Sequence, residues 1–317
     1  MFKTILKCNQ PTLKEAMHQF LTKYYDKIVN TACYIYAEGT IPVAVVAHLD
    51  TVYPSSPKNI FYDKVKNVIW SPEGLGTDDR AGVYGIIKLL KMGYRPHIIL
   101  TTDEEKGGLG AQMVAIDYPE APAKFKYIVE LDRQGAQDCV FYECDNPSFE
   151  EYVESFGFVT NLGTFSDISV ICPNWGIAGV NLSIGYVNEH SFAEHFYVSH
   201  FFATIDKVCK MFDDIQKSNS FEYIPCKYNR YWSPTEDWYS SVQVRCSECG
   251  QMLPEYETFA IKQLDGSTGY RCVDCCIDGV EWCASCGEAF ELEKGDHSIL
   301  CRDCKQAIFE KGMVALQ

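Results

Sequence analysis

Apolar runs in the N-terminal two thirds of the chain end abruptly at side chains that bind metals or transfer protons. The run 98–100 leads through two threonines and an aspartate to Glu104 and Glu105, and the run 41–47 ends at His48. Continuous apolar runs of this kind are typical of parallel strands that are buried on both faces. Because ligands of open α/β sheets bind where such strands end, the pattern predicts an α/β fold with a functional site along one edge of its sheet.

The adjacent carboxylates Glu104 and Glu105 are predicted to serve different partners. Neighbouring side chains of an extended chain point in opposite directions, so one glutamate can bind a metal while the other transfers a proton. An isolated Glu-Glu pair is more often a solvated turn. The residues around His48 favour the functional interpretation, because Asp50 is the kind of partner that fixes the tautomer of a metal-binding imidazole.

Further polar residues occupy comparable positions. The pair Asp78-Asp79 lies among glycines at the start of a predicted helix. Asp132 follows an apolar run, and His190 follows the predicted strand 179–186. One aspartate of the pair is expected to cap the helix, whereas the glycines permit a close approach of the backbone to a ligand. This mixture of imidazoles and carboxylates is the ligand set expected for two hydrolytic zinc ions.

Length and composition predict a catalytic domain with an added module. The chain has 317 residues, 47% of them apolar, and its net charge of −15 opposes nucleic acid as the main partner. No run approaches the roughly 20 apolar residues that span a bilayer, and no secretion signal is visible. We therefore expect a soluble, cytoplasmic protein without a membrane partner. The predicted parts are a catalytic domain at 1–218, an aromatic-rich linker at 219–244 and a cysteine-rich module at 245–317.

The cysteines are concentrated near the end of the chain. Nine of the sixteen fall between Cys246 and Cys304, and eight of these form four Cys-x-x-Cys pairs. Each pair can supply two thiolates to a tetrahedral ion, so a zinc-ribbon-like module with two structural zinc ions is predicted. Sequential pairing is our first expectation, and a cross-braced arrangement is the alternative. The predicted zinc ligands are Cys246, Cys249, Cys272, Cys275, Cys283, Cys286, Cys301 and Cys304.

The acidic character of this module argues against nucleic acid as its partner. Residues 246–317 contain 6 Lys and Arg against 13 Asp and Glu, whereas phosphate binding requires a basic surface. We therefore expect the module to contact a protein or to cap the active-site cleft.

Taken in chain order, the polar set resembles the co-catalytic zinc exopeptidase superfamily, which includes aminopeptidases, peptidase T and carboxypeptidase G. The resemblance covers His-x-Asp, the glycine-flanked Asp-Asp pair, Glu-Glu, a later Asp and a late His, over about residues 40–200. It implies a mostly parallel central sheet flanked by helices, and two catalytic divalent ions. Zinc is the first choice, with cobalt and manganese as alternatives. Only 57 residues separate Asp132 from His190, too few for the lid domain of some relatives, so the compact form is expected.

The resemblance also implies a role for each residue of the set. Asp78 would bridge the ions, Glu104 would act as the general base, and Asp50 would orient His48. Asp167 lies where relatives place a residue near the site, which implies a substrate-binding or supporting role. The implied metal ligands are His48 and Asp132 for one ion, Glu105 and His190 for the other, and Asp78 for both.

The leading functional hypothesis is hydrolysis of a peptide bond at a chain end, by an aminopeptidase. A deacylase or amidohydrolase that acts on acylated small molecules is the near alternative on the same site. The distant alternative is a non-catalytic platform whose zinc module recruits a protein partner. The complete ligand set together with Glu104 argues against this platform.

Overall fold

The computed structural model describes residues 1–119, 124–226, 243–254, 258–276, 280–283, 285–286, 288–292 and 298–307. The chain divides into two compact units, Met1–Tyr231 and Trp232–Gln317. Residues 219–226, the first part of the predicted linker, belong to the first unit, where Phe221 is buried in the main hydrophobic cluster. Residues 227–242 of that linker lie outside the described residues. Within the described ranges, every helix falls short of the length and hydropathy that a bilayer span needs.

The first unit is built on an eight-stranded sheet and a smaller four-stranded sheet. Its strands, in chain order, are β1 (Ile28–Asn30), β2 (Tyr34–Ala37), β3 (Ile41–His48), β4 (Phe61–Asp63), β5 (Val68–Trp70), β6 (Pro96–Thr101), β7 (Tyr127–Arg133), β8 (Asp138–Val140), β9 (Val159–Thr160), β10 (Gly179–Ser183), β11 (Tyr186–Val187) and β12 (His195–Tyr197). Its helices are α1 (Phe2–Leu6), α2 (Gln10–Leu21), α3 (Thr77–Lys91), α4 (Leu109–Asp117), α5 (Pro147–Glu154), α6 (Asp167–Trp175) and α7 (Val198–Asp213), and Glu104–Lys106 form a 3-10 turn.

The four central strands of the large sheet are parallel. The strand order is β1-β2-β6-β3-β7-β10-β8-β9, and β6, β3, β7 and β10 run in one direction. Strands β1, β2 and β8 pair antiparallel to their inner neighbours. The predicted α/β fold with a parallel centre is therefore confirmed, and its antiparallel pairings lie toward the edges of the sheet.

The alternating side chains of β3 explain why helices cover both faces of this sheet. Val43, Val45 and Ala47 lie in one hydrophobic cluster with residues of α3 and α7. Ala44 and Val46 lie in a second cluster with residues of α4 and α6. All five side chains are fully buried, which is why this part of the strand contains no polar residue. Burial of apolar surface on both faces is the main stabilising contribution to the unit.

The small sheet, in the order β11-β12-β5-β4, differs from the expectation. The sequence predicts one helix over residues 194–217, but His195–Tyr197 form a strand and α7 begins only at Val198. Pairing of β12 with β5 buries Phe196 to 1% exposure, and this tertiary contact outweighs the local helical pattern. Residues 28–37, predicted as one strand, likewise form the antiparallel pair β1 and β2.

Among its described residues, the second unit contains two small sheets and one small hydrophobic cluster. Strand β13 (Gln243–Arg245) pairs with β14 (Met252–Pro254). The other described strands are β15 (Thr258–Lys262), β16 (Thr268–Cys272), β17 (Val280–Trp282) and β18 (Ala289–Glu291), and they form a sheet in the order β16-β15-β18-β17. In the described part of this unit, the hydrophobic cluster of buried residues consists of Cys283, Phe290 and Cys301. A short helix, α8 (Val273–Cys276), follows β16 directly.

Candidate active site

The candidate site lies where the parallel strands of the large sheet end. Strand β3 ends at His48, β6 leads to the 3-10 turn that holds the two glutamates, and β7 presents Asp132. The start of α3 and the loop between β11 and β12 complete the site from two further directions. Segments that are far apart in sequence therefore meet here, and they bring together the side chains of His48, Asp78, Glu104, Glu105, Asp132 and His190.

His48 stands at the centre of one half of the site. Its side chain is fully buried, and its Nε2 atom lies 3.0 Å from Asp78 Oδ1 and 3.5 Å from Asp132 Oδ1. Glu104 Oε2 lies 4.0 Å from the same nitrogen. His48, Asp78 and Asp132 thereby form one compact group of potential metal ligands.

Asp78 connects this half to a second one. Its Oδ2 atom lies 3.0 Å from His190 Nε2, and the same nitrogen lies 3.1 Å from Glu105 Oε1. The two oxygens of Asp78 therefore face two different imidazoles, which is the arrangement of a carboxylate shared by two cations. Asp78, Glu105 and His190 form a second group of potential ligands.

Asp50 lies beside the His48 side chain and binds the backbone of both glutamates. Its Oδ1 atom lies 3.3 Å from His48 Nδ1, close enough to orient the imidazole. Its two oxygens also accept hydrogen bonds from the backbone N–H groups of Glu104 (3.2 Å) and Glu105 (3.1 Å). The sequence analysis missed this second role, because the contact joins residues 54 positions apart.

The two glutamates diverge for a reason other than the predicted one. Glu104 begins a 3-10 turn after Asp103, whose φ is 57°, so the chain is not extended here and that expectation is wrong. The turn directs Glu104 toward His48 and Glu105 toward His190. Both glutamates also have an oxygen within 4.8 Å of a ring nitrogen of His48, so they share this neighbour, and Glu105 contacts His190 in addition.

Asp79 and Gly82 fix the start of α3. Asp79 Oδ1 accepts a hydrogen bond from Gly82 N (2.8 Å), and its Oδ2 accepts one from His48 N (3.3 Å). A Cβ atom at Gly82 would lie 2.3 Å from the carbonyl oxygen of Leu131 and 2.4 Å from Asp79 Oδ2, so glycine permits the close approach of α3 to β7. Of the aspartate pair, Asp79 therefore caps the helix, while Asp78 faces the imidazoles.

Burial and mutual repulsion change the pKa values of the clustered carboxylates. They raise the pKa of Glu104 to about 9 and that of Asp132 to about 7. For Asp78, hydrogen bonds from His190 and His48 overcome the effect of burial and lower the pKa. Burial disfavours the charged form of His48, but the surrounding carboxylates outweigh it and raise that pKa well above its usual value. A donor set with this excess of carboxylates fits divalent cations such as Zn²⁺, Co²⁺ and Mn²⁺.

A buried polar network behind Asp132 escaped the sequence analysis. Asn181 Oδ1 accepts a hydrogen bond from Asp132 N (2.9 Å), and Asn181 Nδ2 donates one to Asp132 O (2.9 Å). Ser166 Oγ lies 3.2 Å from Asp132 Oδ2 and 2.5 Å from Glu130 Oε2. Glu130 and Asn181 are fully buried within strands. A polar residue inside an apolar strand needs a buried hydrogen-bond partner. The position of Glu130 and Asn181 within apolar strands is therefore the sequence signal that could have identified them.

Asp167, the expected substrate-binding or supporting residue, is fully buried. One of its oxygens accepts a hydrogen bond from the hydroxyl group of Thr101 at the end of β6. Burial raises the pKa of Asp167 to about 6. Because the side chain is not exposed, we interpret its contact with Thr101 as support for the end of β6, the strand that leads to the two glutamates.

The paired cysteines of the second unit form two groups that follow sequential pairing. The sulfur of Cys272 lies 3.8 Å from that of Cys246 and 3.9 Å from that of Cys249, and the sulfurs of Cys286 and Cys301 lie 3.8 Å apart. A tetrahedral site with zinc–sulfur bonds of about 2.3 Å places its sulfurs about 3.8 Å apart. One group is Cys246, Cys249, Cys272 and Cys275, and the other is Cys283, Cys286, Cys301 and Cys304.

The fold and the site together point to one class of proteins. No protein-family profile matches this sequence, and no curated protein does. Comparison of the fold with solved structures does find similar proteins, and aminopeptidases and a tripeptidase are among them. The first unit thus has the α/β fold of these exopeptidases, and the fold that the resemblance implied is confirmed.

Three solved structures illustrate the likeness. The chain is similar to the aminopeptidase PepT from Bacillus cereus ATCC 10987, with 14% identity and a TM-score of 0.56 over 68% of this chain and 97% of that chain. It is similar to a tripeptidase from Staphylococcus aureus subsp. aureus mu50, with 12% identity and a TM-score of 0.57 over 68% and 97%. It is also similar to the aminopeptidase APDkam598 from the archaeon Desulfurococcus kamchatkensis, with 14% identity and a TM-score of 0.54 over 69% and 94%. At these identities, what the chains share is the fold.

Proposed function

We propose that this chain is a metal-dependent exopeptidase, an aminopeptidase that removes the N-terminal residue of peptides. The observation that carries the proposal is Asp78, whose two oxygens face His48 on one side and His190 on the other. A carboxylate between two mixed imidazole and carboxylate groups suits two cations at the roughly 3.5–4 Å separation of two-metal hydrolases. The aminopeptidase fold supports a peptide as the substrate.

The proposed ligands divide between two cations. His48 and Asp132 would hold one, Glu105 and His190 the other, and Asp78 both. When bound, such cations acidify water and polarise the scissile carbonyl. Zinc is our first choice, and cobalt and manganese accept the same donors.

Glu104 is the proposed proton carrier. Its side chain is 11% exposed and lies beside His48. Glu104 ionises once the positive charge of bound cations offsets the neighbouring carboxylates. It then accepts a proton from the attacking water and delivers it to the leaving amine. Asp50 keeps this glutamate in place through its hydrogen bond from the backbone N–H of Glu104.

In the second unit we propose two structural zinc ions, one in each cysteine group. The sulfur separations of 3.8 and 3.9 Å support this assignment. Four thiolates leave a tetrahedral ion no open position for a substrate, so the proposed role of the module is structural, with a protein as its partner. A thiol-rich chain suits a reducing compartment, and the cytoplasm is the proposed one.

The test is hydrolysis of a substrate panel by the full chain, with the catalytic metal removed and restored. Aminoacyl 4-nitroanilides and short peptides report an aminopeptidase, and N-acetylated amino acids report a deacylase. We expect hydrolysis of the substrates with a free amine, its loss on treatment with 1,10-phenanthroline, and its recovery with zinc or cobalt. Cleavage of N-acetylated substrates alone would make the chain a deacylase. Absence of metal-dependent hydrolysis of both kinds would contradict an enzyme.

A further inference from the structure

A buried glutamate outside the proposed ligand set binds the backbone beside the site. Glu194 is 1% exposed, and its carboxylate accepts hydrogen bonds from the backbone N–H groups of Gly76 (2.7 Å), Thr77 (2.7 Å) and Asp78 (3.3 Å). The hydroxyl group of Thr77 donates to the same carboxylate. Glu194 therefore holds the turn that carries Asp78, just before the regular part of α3.

The same glutamate belongs to the loop that carries His190. Glu194 follows His190 by four positions, between β11 and β12. Within this loop, Glu194 N donates a hydrogen bond to Ser191 O (3.1 Å), and the hydroxyl group of Tyr53 donates to the same oxygen (2.6 Å). One side chain thus ties the loop of His190 to the turn of Asp78.

The negative charge of Glu194 is stabilised by the backbone. Three backbone N–H groups, those of Gly76, Thr77 and Asp78, converge on this carboxylate in the turn that precedes the regular part of α3. Hydrogen bonds from such groups to a carboxylate are stronger than bonds between neutral groups. A neutral side chain at this position accepts these bonds less well, so the loop and the turn would be joined less firmly.

The two halves of the site differ in how their ligands are held. His48 and Asp132 lie on the neighbouring strands β3 and β7, which pair in a parallel ladder. His190 lies in a loop, and its side chain is 49% exposed. The contact of Glu194 with Gly76, Thr77 and Asp78 is a direct link between this loop and the shared carboxylate.

We propose that Glu194 is a positioning residue that holds His190 and Asp78 at the separation required by the cation of the His190 half. This inference rests on the proposed two-cation function. Substitution of residues that orient metal ligands typically lowers metal affinity about 10–100-fold. Loss of Glu194 weakens the cation held by His190, Glu105 and Asp78 by a factor in that range. It weakens the other cation less, because His48 and Asp132 lie on the paired strands β3 and β7 and only Asp78 is shared.

The test measures metal binding and does not depend on activity. The full chain, with zinc kept in the cysteine groups and the catalytic site stripped of metal, is titrated with Mn²⁺, and free Mn²⁺ is followed by electron paramagnetic resonance. Mn²⁺ suits carboxylate and imidazole donors better than thiolates. We expect the wild type to bind two Mn²⁺ ions. Glu194→Gln should bind one ion about 10–100-fold more weakly and the other with a smaller loss of affinity.

Glu73→Gln is the matched control. Glu73 also accepts hydrogen bonds from backbone N–H groups, those of Lys58 (2.5 Å) and Asn59 (3.0 Å), but these lie outside the site. The Glu73→Gln variant should bind both ions as the wild type does. Wild-type affinity for both ions in Glu194→Gln, or equal weakening of both, would overturn the inference. A wild type that binds no Mn²⁺ would instead overturn the proposed function.

Thr77→Val provides a second test if thermal unfolding shows that Glu194→Gln does not fold. This substitution removes one hydrogen-bond donor to the carboxylate and leaves Glu194 in place. We expect weaker binding of one Mn²⁺ ion, by a smaller factor than in Glu194→Gln. Unchanged binding of both ions by a folded Thr77→Val would overturn the inference.

Discussion

The two units hold their candidate metal ligands in opposite ways. In the first unit, His48 and Asp132 lie on strands whose apolar residues are buried in a large hydrophobic core. In the described part of the second unit, the buried cluster is Cys283, Phe290 and Cys301, and two of these three residues are themselves candidate ligands. We infer that the fold creates the site in the first unit, whereas metal binding creates the fold in the second.

The two units also differ in the donor atoms that they offer to a metal. Imidazoles and carboxylates suit a cation that keeps open positions for chemistry, whereas four thiolates close a tetrahedral zinc site. Both cysteine groups repeat one local arrangement: Cys272 N donates to Cys246 Sγ (3.5 Å), and Cys301 N donates to Cys283 Sγ (3.3 Å). Hydrogen bonds to sulfur of this kind lower the pKa of Cys283 to about 6, which favours the thiolate that a metal requires.

Removal of all metal should have the largest effect and should separate the two units. Metal binding to a cysteine site contributes on the order of 10 kcal/mol to folding, so a strong chelator should unfold the second unit and leave the first folded. Hydrogen exchange read by mass spectrometry should show loss of protection in β15, β16 and β18, with protection retained in β3, β6 and β7. Protection that persists in the second unit would contradict the comparison.

Two cysteine variants test whether the cysteine groups hold the zinc ions of the second unit. Cys283→Ser removes a member of one group and should lower the zinc content by about one ion per chain. Cys276→Ser changes a cysteine outside both groups and should retain all the zinc. Elemental analysis of the two purified variants checks this difference, and equal zinc contents would remove Cys283 from the proposed ligands.

In the first unit, loss of Glu104 should abolish turnover without loss of metal. We expect Glu104→Gln to lower kcat about 10²–10⁴-fold, because an amide cannot accept the proton, and to keep its metal. Asp78→Asn should lose metal as well, because an amide cannot replace a carboxylate shared by two cations. Steady-state kinetics with metal analysis separates these outcomes, and Glu15→Gln on the exposed face of α2 is the control. Full activity of Glu104→Gln would exclude it as the proton carrier.

Local patterns account for most of what the sequence predicted in both units. The apolar runs of β3, β6 and β7 identified the parallel strands. The Cys-x-x-Cys spacing identified the two cysteine groups, because each knuckle is complete within a few residues. The ordered polar set, together with the family resemblance, picked out the side chains that meet at the end of the sheet.

Contacts between distant segments account for what sequence reasoning missed. Asn181 binds the backbone of Asp132 across 49 positions, and Glu194 binds Gly76 across 118 positions. Neither contact leaves a periodic pattern or a motif in the sequence. The strand at 195–197 was missed for a similar reason, because only its pairing with β5 makes it a strand.

If the fold creates the first site, a substitution that disturbs the packing beneath the site should destabilise the unit even when every proposed ligand is kept. Gly82→Ala places a Cβ atom 2.3 Å from the carbonyl oxygen of Leu131 and should lower the free energy of unfolding by about 3 kcal/mol. Gly85→Ala is the control, because its Cβ meets the flexible end of the Leu131 side chain at 3.0 Å and gains about 1 kcal/mol of helix propensity. Urea unfolding of the two variants measures the difference. Equal stabilities would show that the close approach of α3 to β7 does not contribute to the stability of the first unit.

The smallest expected effect is a loss of stability of the first unit at acidic pH. It arises from His97, which is not one of the proposed metal ligands. His97 is 5% exposed, and its Nδ1 lies 2.9 Å from the hydroxyl oxygen of Tyr36. Burial lowers the pKa of His97 to about 4, below the usual value of 6.5. Its contribution is therefore complete above pH 6.5 and is lost as the pH falls from 6.5 to 4, because the unfolded chain binds the proton first.

Between pH 7.5 and pH 5 this linkage amounts to about 2 kcal/mol. His97→Gln keeps a hydrogen-bonding side chain but does not titrate, so its free energy of unfolding should fall by about 2 kcal/mol less than that of the wild type over the same range. Urea unfolding of the first unit at the two pH values measures both changes. Equal changes in the wild type and His97→Gln would mean that His97 binds its proton equally well in the folded and unfolded chain, and that its burial adds no acid sensitivity to the first unit.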